Sequence, residues 1–354
     1  MRTRRAKDSL TSSSRQRKCD PMIKRPDSMR PGVFIHTSVR PYAGGCPAGR
    51  GVAVAARAGA GYSGTGVAEL YTLADAAAFG TESVLYGMAQ TLLAAGVVPV
   101  YAAAAGEDYA AALAALETEE NLFAVVCDGG AEALCAHVDA CCAAGRERVG
   151  LLAVSGTEAA RETAAAADNR RVAVLCDGGT NTTRTAAAFA AALAAANAGS
   201  LSGLVVPLDI PFDGGLTAAE TEELLRAGVT PFERCGGEVR CVRAVTTSRT
   251  VNGLPDSTFS ALSTVLAVDE VVGAVRRAVR ARLRGLKNNA VTRESIASQI
   301  TVELERERAL GVIDSYRPPR VAAHPDDASV CVATLSLRVA PEINQIVIAA
   351  DIVV

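Results

Sequence analysis

Residues able to do chemistry are few in this 354-residue chain, and their spacing does not bring them together. A hydrolytic centre needs a nucleophile with a base in hydrogen-bond reach and a group to orient that base. Only three histidines could serve, and His36, His137 and His324 fall in an N-terminal stretch, a cysteine-rich helix and a Pro-rich loop. The elbow Gly-x-Ser-x-Gly is absent, so Val154-Ser155-Gly156-Thr157 reads as a turn. None of the ten cysteines stands in a Cys-x-x-Cys pair, and Cys127, Cys176 and Cys331 lie inside apolar strand patterns, where a thiol behaves as a small hydrophobe. We expect no catalytic residue, no bound metal and no cofactor.

Two glycine motifs need weighing. Gly59-Ala60-Gly61-Tyr62-Ser63-Gly64 follows a strand and has the dinucleotide spacing. Residues Gly66 to Leu73 then read as extended, with no helix N-terminus to receive a pyrophosphate. Asp128-Gly129-Gly130 and Asp177-Gly178-Gly179 each end a strand and open a helix. Such a triplet is first a turn and cap. A ligand site is the alternative, because clefts beyond the carboxyl ends of strands bind ligands in open sheets.

The elements around these motifs alternate. Strand-like runs at Val52 to Ala56, Val97 to Tyr101, Leu122 to Cys127, Val149 to Val154, Val172 to Cys176 and Leu204 to Leu208 are separated by Ala-rich helical stretches, the pattern of parallel strands with crossover helices. This predicts a layered α/β domain over residues 51–235. A second region, 236–354, is predicted as smaller and α+β. Within it a helix capped by Asp269 carries Val271, Val272, Val275, Val279, Leu283 and Leu286 on one stripe. Arg276, Arg277, Arg280, Arg284 and Lys287 form an adjacent basic stripe. A second helix from about Thr292 to Gly311 mixes its charges and needs only water outside. Ser329 to Val339 alternates as a half-buried strand, with Cys331, Ala333, Leu335, Leu337 and Val339 on one face. Gln345 to Val354 alternates again through Ile346, Ile348, Ala350 and Ile352, and its unpaired backbone is best satisfied in a neighbouring subunit.

At the other end, residues 1–28 hold nine Lys or Arg against three Asp, with a serine run, and read as a disordered basic extension. Met22 and Met29 offer later starts. Pro31 to Val39 is a short extended arm, followed by a Pro- and Gly-rich linker that completes residues 29–50. A net charge of −2 argues against global attraction to nucleic acid or membrane, 49% hydrophobic composition supports a real core, and no signal or spanning segment is evident. We expect a soluble protein that stays in the cytoplasm.

Gly228-Val229-Thr230-Pro231-Phe232-Glu233-Arg234, leading through Gly236-Gly237 into Glu238-Val239-Arg240-Cys241-Val242 and Ser248-Arg249-Thr250, resembles the contractile tail sheath proteins of bacteriophages and phage-like bacteriocins. Ser260 to Val268 and the Asp269 helix look like that family's strand and basic helix. Asn288-Asn289 and Thr292 look like its helix break, Pro31-Gly32-Val33-Phe34-Ile35 like its opening arm and Gln345 to Val354 like its closing arm. The resemblance covers about residues 29–354 and is most specific in the C-terminal third.

What the resemblance implies is a structural subunit, not an enzyme, whose α/β domain is subtilisin-like in topology without the triad. Subunits of this family stack in rings, commonly of six, around an inner tail tube. They meet baseplate and tail terminator proteins, contract to drive the tube through a cell envelope, assemble in the bacterial host cytoplasm and end in a virion tail or released particle. The inter-subunit arms would be carried by Gly32, Val33, Phe34, Ile35, Ile346, Val347, Ile348 and Ile352, exchanged as terminal strands, with the C-terminal arm at about 342–354. The basic stripe of Arg276, Arg277, Arg280, Arg284 and Lys287 would face the tube. No nucleic acid and no membrane insertion are implied. The competing readings are an α/β ligand-binding enzyme using the Asp-Gly-Gly loops and a nucleic-acid binder using the basic helix.

Overall fold

Short apolar runs bounded by glycine, and alanine-rich segments behind them, produce strands that can be covered on both faces at close range. A computed structural model of the protein describes residues 50–196, 201–251, 254–255, 257–282, 287–327 and 329–342. The chain runs β1 (Gly51–Arg57), β2 (Val67–Leu70), α1 (Leu73–Ala76) with a 3-10 turn at Ala77–Phe79, α2 (Val84–Ala94), β3 (Val100–Ala105), α3 (Tyr109–Leu116), β4 (Leu122–Cys127) and α4 (Ala131–Ala143). It continues through β5 (Val149–Ala153), α5 (Thr157–Ala167), β6 (Val172–Cys176), α6 (Thr182–Ala195), β7 (Val205–Val206), α7 (Ala218–Ala227), β8 (Val229–Cys235) and β9 (Glu238–Cys241). Two short strands, β10 (Thr250–Val251) and β11 (Leu254–Pro255), precede α8 (Leu262–Arg282), α9 (Ala290–Ala309), β12 (Ile313–Ala323) and β13 (Cys331–Val339).

Among the described residues nine strands form one sheet in the order β2-β3-β1-β4-β5-β6-β8-β9-β7. The pairs from β3 to β8 are parallel, and β2, β9 and β7 join antiparallel at the margins. Period-2 alternation divides the strand residues between two cores: Val52, Val54 and Ala56 meet α2 and α6, while Ala53 and Ala55 meet the side chains of α3 and α4. Alanine dominates α6, where Ala186, Ala187, Ala188 and Ala190 are wholly buried, so the helix lies close against its neighbours. Phe189 and Phe232 supply the bulk there, edge to face with centroids 5.3 Å apart.

The layered α/β architecture is as the alternation predicts, and four details differ. Val97 to Tyr101 is displaced into β3, which begins after Pro99, a residue with no N–H for a ladder. Leu204 to Leu208 shrinks to β7, a two-residue antiparallel edge strand. The stretch from Ser260 to Val268 is no strand. From Leu262 it is already α8, and Leu262, Val265, Leu266 and Ala267 bury themselves in the sheet's core. Asp269 therefore lies inside the helix and caps nothing. The partner of β13 is β12, hidden in the sequence by Pro318 and Pro319, which sit where the register shifts between Arg317 and Arg320.

One 21-residue helix thus belongs to two cores. Its first turns complete the body, and Val271 and Val275 join Ile300, Leu304 and Ile313 in a small C-terminal cluster against α9 and β12. The β8–β9 turn at Gly236 and Gly237, both at positive φ, stays within the large sheet, and the chain crosses from body to C-terminal layer along α8. The arm Pro31 to Val39 and the closing strand Gln345 to Val354 lie outside the described residues.

Candidate functional site: the charged faces of helix α8

Asp269 and Arg276 are seven residues apart, so two turns of helix place them on one face. That face meets the loops that enter β5 and β6. Arg171 Nη1 and Nη2 donate to Asp269 Oδ2 and Oδ1 at 2.6 and 2.8 Å. Arg276 Nη1 and Nη2 donate to Glu147 Oε2 and Oε1 at 2.6 and 2.5 Å, and Nη1 also reaches Gly145 O at 3.0 Å. Both pairs are bidentate, the stronger and more directional form of this contact. The first is nearly dry, with side-chain exposures of 7% and 16%. The bond to Arg276 holds the Glu147 carboxyl below its ordinary range, whereas burial pushes the Asp269 carboxyl upward against the pull of Arg171.

Arg276 is therefore turned toward the body, a departure from the outward basic stripe that its spacing predicts. Arg277, Arg280 and Lys287 are exposed, and Arg284 lies outside the described residues. Helical periodicity alone missed Glu147 and Arg171 as partners of α8. Each is a charged residue just before a buried strand, and nothing in the linear text pairs it with a helix about a hundred residues later.

The strand-end loops are occupied by their own side chains. Asp128 has a fully buried carboxylate that accepts from Tyr109 Oη at 2.7 Å and Arg57 Nε at 2.8 Å. Tyr109 lies over the turn so closely that a Cβ on Gly130 would stand 2.4 Å from its ring, and Gly130 has φ 69°. Burial, then the Asp128 bond, raises the Tyr109 hydroxyl well above its usual value. Asp177 accepts from Gly179 N at 3.0 Å and from the hydroxyls of Thr182 and Thr185, each at 2.6 Å, opening α6. Neither aspartate caps a helix: the N-cap positions are Gly130 and Asn181, without a side-chain cap bond, and only Asp177 locks its own turn, through Gly179 N, while Asp128 ties the turn to Tyr109 and Arg57. The Gly59 to Gly64 loop leads into β2, antiparallel to β3, and supplies no helix N-terminus.

His137 is structural. It is 3% exposed on α4, its Nε2 stands 3.4 Å from Arg148 Nη1, and burial with the Arg148 charge lowers its pKa to about 4. Arg148 itself is buried and donates to the carbonyls of Leu116 and Glu119 at 2.9 and 2.6 Å. Ser155 Oγ donates to Thr182 Oγ1 at 3.5 Å. Among the described residues no group of His, Cys, Asp and Glu converges as a metal site, and no helix is long and apolar enough to cross a membrane. Beside α8 lies an open apolar cavity of about 270 Å³, lined by Val272, Val279, Ile296, Ile300, Ala333 and Leu335 among others. The predicted arm residues Gly32, Val33, Phe34, Ile35, Ile346, Val347, Ile348 and Ile352, like His36, lie outside the described residues.

Residues 102–247 match the family model of the phage tail sheath protein central domain. A sheath tail protein from Desulfitobacterium hafniense shares the fold at TM-score 0.61 and 12% identity, over 87% of this chain and 100% of that one. A sheath tail protein from Listeria innocua does so at 0.64 and 11%, over 82% and 92%. A chain of the anti-feeding prophage baseplate in its contracted state does so at 0.60 and 13%, over 90% and 97%. No curated protein matches.

Proposed function

We propose that this chain is a phage tail sheath protein with a structural role in the tail. Copies stack as rings, six to a ring, around an inner tail tube, and the lattice contracts to drive the tube through a target envelope. Baseplate and tail terminator proteins bound the stack. The α/β body, from β1 through the first turns of α8, forms the core of each subunit, and the C-terminal layer beyond it carries the contacts to tube and neighbours. The observation that carries the reading is the sheath central domain matched inside a fold that covers most of the chain.

Arg277, Arg280, Arg284 and Lys287 face the tube. Their individual pairs are weak, but they repeat around every ring. The arms at Gly32 to Ile35 and Ile346 to Ile352 enter neighbouring subunits as exchanged strands, joints that hold while the linkers hinge. Heterologous contacts of this kind do not close and so build filaments. Contraction releases energy stored in the extended lattice, and the sheath is no enzyme and needs no cofactor. This fits the two strand-end aspartates, whose acceptor positions are taken by Tyr109, Arg57, Thr182 and Thr185. Assembly takes place in the bacterial host cytoplasm, with no contact to nucleic acid and no insertion into membrane.

Negative-stain microscopy of the purified protein tests the proposal. Helical filaments or tubes are expected, together with co-assembly on the tail tube protein from the same gene cluster. A monodisperse protein that forms neither, and whose melting temperature rises on adding a small ligand, would point to the Asp-Gly-Gly enzyme reading instead.

A further inference from the structure

The seating of α8 poses a mechanical problem. Its second half rests on a thin cluster, with Val271 and Val275 buried but Val272 and Val279 on the wall of an open cavity. Apolar contacts are non-directional. Leu262, Val265, Leu266 and Ala267 anchor the first turns, but beyond them the helix is held by so few such contacts that it can twist or fray, and rotation toward the next residue position would carry Arg277 toward the body and turn Arg276 away from it.

Two directional contacts oppose that rotation. Bidentate pairs constrain the plane as well as the distance of the groups they join. Asp269 and Arg276 make one each, on the same helix face, to Arg171 and Glu147. The signs alternate: the helix offers minus then plus, and the body offers plus then minus. Sliding α8 by two turns would bring Arg276 toward Arg171, like charge to like. The arrangement thus specifies both roll and register, and Arg276 has Gly145 O as a third acceptor at 3.0 Å.

We infer that Arg276 is a positioning residue: with Glu147, Asp269 and Arg171 it forms a clasp between α8 and the sheet body that fixes which arginines face outward, and it makes no partner contact itself. This rests on the tube-facing reading for its consequence, though the clasp can be read without a tube.

The test is a charge swap. In the full-length protein, Arg276→Glu and Glu147→Arg should each reduce co-sedimentation with the tail tube protein by about tenfold and speed amide exchange in residues 277–282 to a similar degree. The Glu147→Arg/Arg276→Glu double variant should restore both to within about twofold. Arg276→Lys, which keeps charge but loses the fork, should be intermediate. If the double variant stays as defective in co-sedimentation as Arg276→Glu while its exchange is restored, Arg276 touches the partner directly and the inference falls. It falls equally if neither single variant changes exchange in α8. Arg277→Glu/Arg280→Glu separates the premise: unchanged co-sedimentation in that variant sinks the tube-facing reading, while the exchange data on Arg276 and Glu147 still decide the clasp.

Discussion

The α/β body and the C-terminal layer are built from similar residue types and reach different degrees of closure. In the body the sheet is covered on both faces, and side chains such as Leu85, Met88, Phe189 and Leu151 are wholly buried. In the C-terminal layer five residues are buried in the cluster, β13 is largely exposed, and an open cavity remains between α8, α9 and the hairpin. The difference is geometric. A sheet with helices on both faces buries every residue of a strand, whereas a two-stranded hairpin on a helix pair buries one face at most. The body can therefore stand on apolar burial, while the C-terminal layer needs the continuity of α8 and its two charged pairs to hold its place.

The largest expected effect breaks the body. Phe189→Ala removes a fully buried ring packed on Phe232 and should destabilise global unfolding by about 3–5 kcal/mol, read as a lower urea midpoint by circular dichroism. Leu304→Ala, equally buried in the C-terminal layer, should instead raise proteolysis and amide exchange within residues 290–340 and leave the body's midpoint near that of the parent. Equal drops in the global midpoint would mean that the two regions unfold as one unit.

A smaller effect belongs to His137. Its folded pKa of about 4 lies below the ordinary value of about 6.5, so the folded state binds fewer protons in that window. Its contribution to stability is complete above about pH 6.5 and is lost as pH falls toward 4, a change of about 3 kcal/mol. His137→Leu should flatten the stability profile between these values, and an unaltered slope would assign the dependence to other groups. Glu147, depressed by Arg276, has the same sign at lower pH: its contribution is present above the ordinary carboxylate value and disappears below it.

The smallest effect sharpens the comparison from the other side. Ala333 lines the open cavity on β13, and Ala333→Val adds volume and strand preference there. It should stabilise the C-terminal layer by about 0.5–1 kcal/mol, seen as slower exchange in β12 and β13 with the body unchanged.

Much of this was legible in the residues. Runs such as Leu122 to Cys127 and Val172 to Cys176 became strands at their expected places because they are apolar on both faces and bounded by turn residues. The failures share a cause. Val265 and Leu266 have the apolar look of a strand, and only the body's core makes them part of the first turns of α8. Pro318 and Pro319 hide β12, and only its pairing with β13 absorbs them at an irregular register.

By itself the sequence determined the alternation of strands and helices, the turn character of the Asp-Gly-Gly triplets and the presence of a basic stripe on a long helix. These are local properties, set by periodicity and by turn chemistry within a few residues. Which of the stripe's arginines looks outward was decided by tertiary structure alone. Arg276 and Arg277 are adjacent and chemically identical, and they part company because Glu147, 129 residues away, waits beside one of them. The pairing depends on how the entry loops of β5 and β6 stack against α8, and that arrangement exists only once the sheet has formed.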